Sequence, residues 1–235
     1  MKNLMSAFSL LLLLCLISCE TRIQGTGDSQ PETRSLTPFT EIESHSSLDI
    51  TYRQISDGVD RVVVLAQQNI LPYIKTEVED GTLSVYIEGN IDSDDKMSVQ
   101  VYARNLNMLN LNGSGDFKID GKLNVQKFYA ENNGSGDVDI KIQASSIEVE
   151  SNGSGDFDFS GTSDYLEIEL NGSGDVTAED LRVFNSEVEI NGSGDVSVFA
   201  KELLEIELNG SGDVKYKGRA KIEQTINGSG RVFSL

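Results

Sequence analysis

A chain of 235 residues, 38% of them hydrophobic, is long enough for one sizeable domain or a capped repeat array, and no second domain is required. Its 38 acidic against 19 basic side chains give a net charge of -19, which excludes a nucleic-acid surface, because phosphate binding needs clustered Lys and Arg. The same charge argues against acidic partners and leaves cations or basic surfaces open.

Residues 1–18 read as a lipoprotein signal peptide. Lys2 supplies the positive start, and Leu10 to Ile17 form an apolar run too short to span a bilayer comfortably. Leu16-Ile17-Ser18-Cys19 resembles the lipobox of bacterial lipoproteins, so Cys19 is the expected lipidated first residue of the mature chain. Acyl chains contribute about 0.8 kcal/mol per buried methylene, so the membrane is the first expected partner, and the bacterial cell envelope, with the outer membrane favoured, the expected address. Cys15 leaves with the signal peptide, and no intramolecular disulfide is then available.

Residues 19–38 are polar and rich in Gly, Ser and Pro, and read as a flexible tether. Residues 39–104 carry strand patterns without a repeated turn. Ser47 to Tyr52 alternates, Val62 to Leu65 is a short apolar run, and Thr82 to Ile87 alternates after Glu79-Asp80-Gly81. These are the expected opening coils and cap of an array whose first strands would otherwise pair with another chain. His45, the sole histidine, has no second His or thiol nearby and reads as a polar loop residue.

Residues 105–235 are organised by Asn-Gly-Ser-Gly-Asp. The motif begins at Asn112, Asn133, Asn152, Asn171, Asn191 and Asn209, and returns at Asn227 with Arg231 in the Asp position. Aligned on the Asn, inward columns appear: Ala130, Val149, Ile168, Val188 and Ile206 before the turn, and Phe117, Val138, Phe157, Val176, Val196 and Val214 after it. Between the inward positions run two Glu columns, Glu148, Glu167, Glu187 and Glu205, and Glu150, Glu169, Glu189 and Glu207. Period-two alternation makes each such segment a strand with one wet and one dry face.

Coils of about 18–21 residues hold strands only, too short for helix-containing repeats. The fold class is therefore all-β: a single-stranded parallel β-helix, a solenoid, right-handed by the usual sense of parallel crossovers. The glycines let successive bends stack without a Cβ collision or adopt positive φ, and the Asn amides form a ladder of side-chain hydrogen bonds. Each closing Asp is expected to accept backbone N–H groups of its own bend.

The lipobox, the opening segment with Glu79 to Leu83, and the serial turns together resemble the bacterial autotransporter adhesin head GIN-domain family, over about Phe39 to Leu235. The resemblance implies a right-handed β-helix and a surface-adhesive role. No membrane barrel follows Leu235, so retention is expected to fall to the lipid anchor.

Three chemistries are weighed against purely structural roles. The Asp column, Asp116, Asp137, Asp156, Asp175, Asp195 and Asp213, could take Ca²⁺, although one turn per coil departs from calcium-binding nonapeptides. The Glu columns could face cations or a basic partner, or simply keep the surface soluble. A polysaccharide-active enzyme is the rival to a noncatalytic module, but catalysis needs unlike groups at one point and the coils show none. Carbohydrate stacking prefers exposed aromatics, and most aromatics here fall on inward positions. No cofactor is expected. An envelope protein or glycan is the expected ligand, and pairing of an open C-terminal coil would make a homo-oligomer.

Overall fold

The computed structural model describes residues 22–235, so the predicted signal peptide and Cys19 lie outside the described residues. The chain is all-β and winds into a parallel solenoid of about seven turns. Each turn motif joins two walls. The strand before it stacks in a series running from Met108–Leu111 through Lys127–Asn132 and Ser146–Ser151 to Lys221–Ile226. The strand after it stacks from Phe117–Ile119 through Val138–Gln143 to Val232–Ser234. All these pairs are parallel. In mid-array one strand serves both walls: Phe157–Leu170, Val176–Ile190 and Val196–Leu208 each leave one turn, bend round a third side and enter the next.

The inward columns form one continuous core in which Phe128, Ile147 and Leu166 stack before the turn, buried Ser186 intervenes ahead of Leu204, and Phe117, Val138, Phe157, Val176, Val196 and Val214 stack after it. The columns fade in the final coil, where Gln224 and Ile226 are exposed. A buried Leu, Ile, Val or Phe contributes about 1.5–3 kcal/mol, while ordering the backbone costs about 1–2 kcal/mol per residue, so a coil is stable only between neighbours that share its core.

The opening segment departs from chain order. Glu41–Ser44 and Asp49–Gln54 form a coil wedged between two others: it pairs with Met108–Leu111 and Phe117–Ile119 on one side, and with Thr82–Ile87 and Ser98–Ala103 on the other. The chain lays its second coil on the far side of the first, then crosses back to begin the array. Parallel stacking ends there in antiparallel strands. Ile74–Glu79 folds onto Thr82–Ile87 through Asp80-Gly81, both with positive φ, as the tightest hairpins require. Arg61–Gln67 covers Ser98–Ala103.

The tether expected over 19–38 is not seen in its described part. Ser29–Ser35 is a strand, antiparallel to Arg61–Gln67, and Ile23–Gln24 pairs with Ile91–Asp92. Arg34 explains part of the order: its guanidinium donates to the carbonyls of Ile74 (2.6 Å) and Leu71 (2.9 Å) and to Thr76 Oγ1 (3.1 Å). This outermost strand carries Pro31 and charged side chains, which discourage pairing with another chain.

Candidate functional site

The turn ladder is a hydrogen-bonded spine. Asn133 Nδ2 donates to Asn112 Oδ1 (3.0 Å), and the pattern repeats through Asn152, Asn171, Asn191, Asn209 and Asn227 at 2.9–3.1 Å. The same Nδ2 in the middle coils also donates to the Glu two residues earlier: Asn152 to Glu150 (2.8 Å), Asn171 to Glu169 (2.8 Å), Asn191 to Glu189 (2.9 Å) and Asn209 to Glu207 (3.1 Å). One of the two Glu columns is thereby tied into the ladder. The motif glycines do not have positive φ. A Cβ on Gly172 or Gly174 would overlap the carbonyl oxygen of the equivalent glycine one coil earlier, so close stacking is what excludes a side chain.

The Asp column corrects one expectation. Each carboxylate accepts not from its own bend but from the next coil: the N–H of Asp137 donates to Asp116 Oδ1 (3.0 Å), that of Asp156 to Asp137 (2.9 Å), and that of Asp175 to Asp156 (2.7 Å). Asp195 and Asp213 continue the series, and Arg231 N–H ends it on Asp213 Oδ1 (2.8 Å). Parallel stacking leaves this N–H without a backbone acceptor, and the carboxylate below supplies one. Arg231 also places a guanidinium nitrogen 2.7 Å from Asp213 Oδ2. The Arg231 hydrogen bond holds Asp213 below the usual carboxylate range, and the Asp213 N–H, followed by Lys215, does the same for Asp195. With Oδ1 so engaged, Asp116, Asp137, Asp156 and Asp175 each keep one oxygen, whereas Lys215 takes Oδ2 of Asp195 (2.9 Å) and Arg231 that of Asp213, and no cluster of three or more metal-ligating side chains occurs among the described residues.

An additional turn lacks the motif altogether. Ser44 to Asp49 stacks beneath the Asn112 turn: Asn112 N–H donates to Ser44 O (2.8 Å), and Asp116 N–H to Asp49 Oδ1 (3.2 Å). Ser46 and Leu48 occupy the glycine positions. Side chains fit there because the coil beyond them carries the wider 88–97 connection instead of a tight bend. His45 lies in this turn, 2.9 Å from Glu43.

Glu148, Glu167, Glu187 and Glu205 stack in register on the wet face. Partial burial, then Glu148 and Glu187, raises the Glu167 carboxyl above its ordinary value. Tyr165 donates to Glu187 (2.7 Å) and Tyr129 to Glu150 (2.9 Å), and burial pushes both phenols up.

The third side holds what alignment on the Asn does not reveal. Where the chain returns between motifs, a groove of about 1300 Å³ runs along the solenoid, from Asn105 and Asn107 to Phe199 and Lys201. One column in strand register contributes Asn124, Gln143, Thr162, Arg182 and Phe199 from successive coils. Phe184 is 40% exposed, with Lys201 Nζ 4.4 Å from its ring centre, and Arg182 lies 5.5 Å over Phe199. Exposed aromatics therefore do occur, contrary to the inward pattern expected of them. Repeat symmetry breaks here, and unlike groups meet. The signal was hidden because spacing drifts: Asn124 follows its motif Asn112 by twelve residues, but Phe199 follows Asn191 by eight.

Comparison with known proteins agrees with this architecture. No relative matches among curated proteins. A crystal structure described as a putative adhesin from Bacteroides fragilis is 27% identical, covering 91% of this chain and 100% of that one, with a TM-score of 0.86. A putative lipid binding protein from Parabacteroides distasonis is also 27% identical, over 92% of this chain and 100% of that one, at a TM-score of 0.70. A putative adhesin from the same species shares the fold at 24% identity, with a TM-score of 0.74 and 92% and 100% coverage. None of the three is described as an enzyme. Residues 38–220 match the family model described as putative auto-transporter adhesin, head GIN domain, and the chain belongs to that family of adhesin-like proteins.

Proposed function

We propose that this chain is a lipid-anchored, noncatalytic binding module of the bacterial envelope, and that the groove on the third side is its ligand-binding surface. The groove carries this reading. It is the place where a regular array gathers aromatic faces, amides, hydroxyls and cations along one open channel, as binding sites do. On the turn side, by contrast, the Asn and Asp columns are engaged with one another coil to coil. Family membership and the adhesin neighbour support a surface role, and the lipobox at Cys19 supports anchoring.

The test is capture of envelope glycans and proteins on immobilised residues 22–235, with Phe184→Ala and Arg182→Gln as comparisons. Retention that falls in these variants, while circular dichroism is unchanged, supports the groove. Retention identical to the native chain refutes it, and release of cleaved glycan favours the polysaccharide-active rival. In cells, Cys19→Ala should move the protein from the detergent phase to the aqueous phase.

A further inference from the structure

We infer, resting on the groove as the binding surface, that its ligand is a carboxylate-bearing polysaccharide lying lengthwise along the solenoid. The overall charge argues against an acidic partner, and the groove is the local exception. Eleven of the eighteen described Lys and Arg side chains pair with a carboxylate. Lys127, Arg182 and Lys201, which line the groove, are among the seven that do not. In a molecule with twice as many acids as bases, three lining cations face only Glu148 and Asp164. One Glu column borders the groove, but Glu148 is its only member in the lining, and the field of the carboxylates beyond is screened over about 8 Å at physiological salt.

The arrangement suits sugar rings. Arg182 and Lys201 sit against Phe199 and Phe184, so each cation adjoins an apolar face. A pyranose can lay its C–H face on such a ring and place a carboxylate on the neighbouring guanidinium, which favours paired N–H···O bonds. Asn124, Gln143 and Thr162 continue the same column with amide and hydroxyl groups that match sugar hydroxyls. The groove crosses six coils, about 24 Å at the spacing of paired strands, enough for several rings.

Other ligand classes fit less well. The strands on the groove floor pair with coils on both sides, so no edge is free for an extended peptide to join. An acyl chain would strip water from the amides and hydroxyls without replacing their hydrogen bonds.

The experiment is calorimetric titration of residues 22–235 with polygalacturonate, alginate and polysialate, each beside its carboxyl-reduced counterpart. At least one acidic polymer should bind about tenfold or more tighter than its reduced form, since charge-assisted hydrogen bonds exceed neutral ones by that margin. The double variant Arg182→Gln, Lys201→Gln should lose this preference, and Phe184→Ala should weaken both forms. Equal binding of acidic and reduced polymers that still needs Phe184 overturns the acid class but leaves the groove standing. Binding untouched by all three substitutions overturns both. Failure to bind any acidic polymer, alongside groove-dependent capture of another envelope component, overturns this inference alone.

Discussion

Replacing Gly172 with alanine puts a methyl group into the seam between two coils. The new Cβ would overlap the carbonyl oxygen of Gly153 and lie 2.9 Å from the carbonyl carbon and oxygen of Asn152, all backbone atoms that cannot rotate away. Relief requires the coils to part by roughly 1 Å, beyond the reach of dispersion contact and of the bonds spanning the seam. Those bonds are Asn171 N–H to Ser151 O (2.8 Å), Gly172 N–H to Ser151 O (2.9 Å), Ser173 N–H to Gly153 O (3.0 Å) and the Asn171 to Asn152 amide rung (3.0 Å). At about 0.5–1.5 kcal/mol each, and with water replacing the outermost, the loss is about 2–4 kcal/mol. For a chain of this size that lowers the melting temperature by roughly 5–15 °C. Far-UV circular dichroism during heating and in urea would measure it, with exposed Ser173→Ala as the control expected within about 0.5 kcal/mol of native. Gly228→Ala carries the same clash in the last coil, which has one neighbour and can swing away, and should cost less than half as much. A Gly172→Ala protein as stable as the Ser173→Ala control would refute close stacking as the reason for glycine.

The Asp ladder makes a second test: Asp156→Ala leaves the N–H of Asp175 without its acceptor and should cost about 1–3 kcal/mol by urea unfolding, whereas Asp156→Asn keeps an oxygen there and should cost about half or less. Stability should peak in mild acid. Glu167 and Asp158 have raised pKa values from burial and neighbouring carboxylates, so as pH falls from neutral they take up protons before the unfolded chain does, and stability rises. Asp49, Asp195 and Asp213 have lowered values, so their contribution is present above about pH 4 and is lost as pH falls through their folded pKa values. Melting temperatures that only decline from pH 7 to pH 4 would contradict this, and Glu167→Gln should flatten part of the rise. Arg34→Met should loosen Ser29–Ser35, seen as faster amide exchange in that strand with the array unchanged, because the guanidinium binds two carbonyls of the cap.

The repeat and its core were legible in the sequence because both are written at fixed distances from the Asn. Leu166, Ile168 and Leu170 point inward, Glu167 and Glu169 outward, and Asn171 meets Asn152, all as strict alternation requires. The Asp pairing was legible only as a residue type. Whether Asp156 bonds its own bend or the next coil depends on which backbone N–H stacking leaves without an acceptor. The turn at Ser44 to Asp49 carries no motif, since the coil beyond it leaves room for Cβ atoms, and sequence spacing does not show that the 82–103 coil lies on its far side. The groove belongs wholly to tertiary structure. Return segments differ in length between coils, so Asn124, Gln143, Thr162, Arg182 and Phe199 fall 12, 10, 10, 11 and 8 residues after their motif Asn and come into line only when strand pairing sets the register. Local periodicity determined the scaffold by itself, because each coil repeats one pattern of burial; the candidate binding surface arises where that pattern stops repeating, and only the stacked coils bring its residues together.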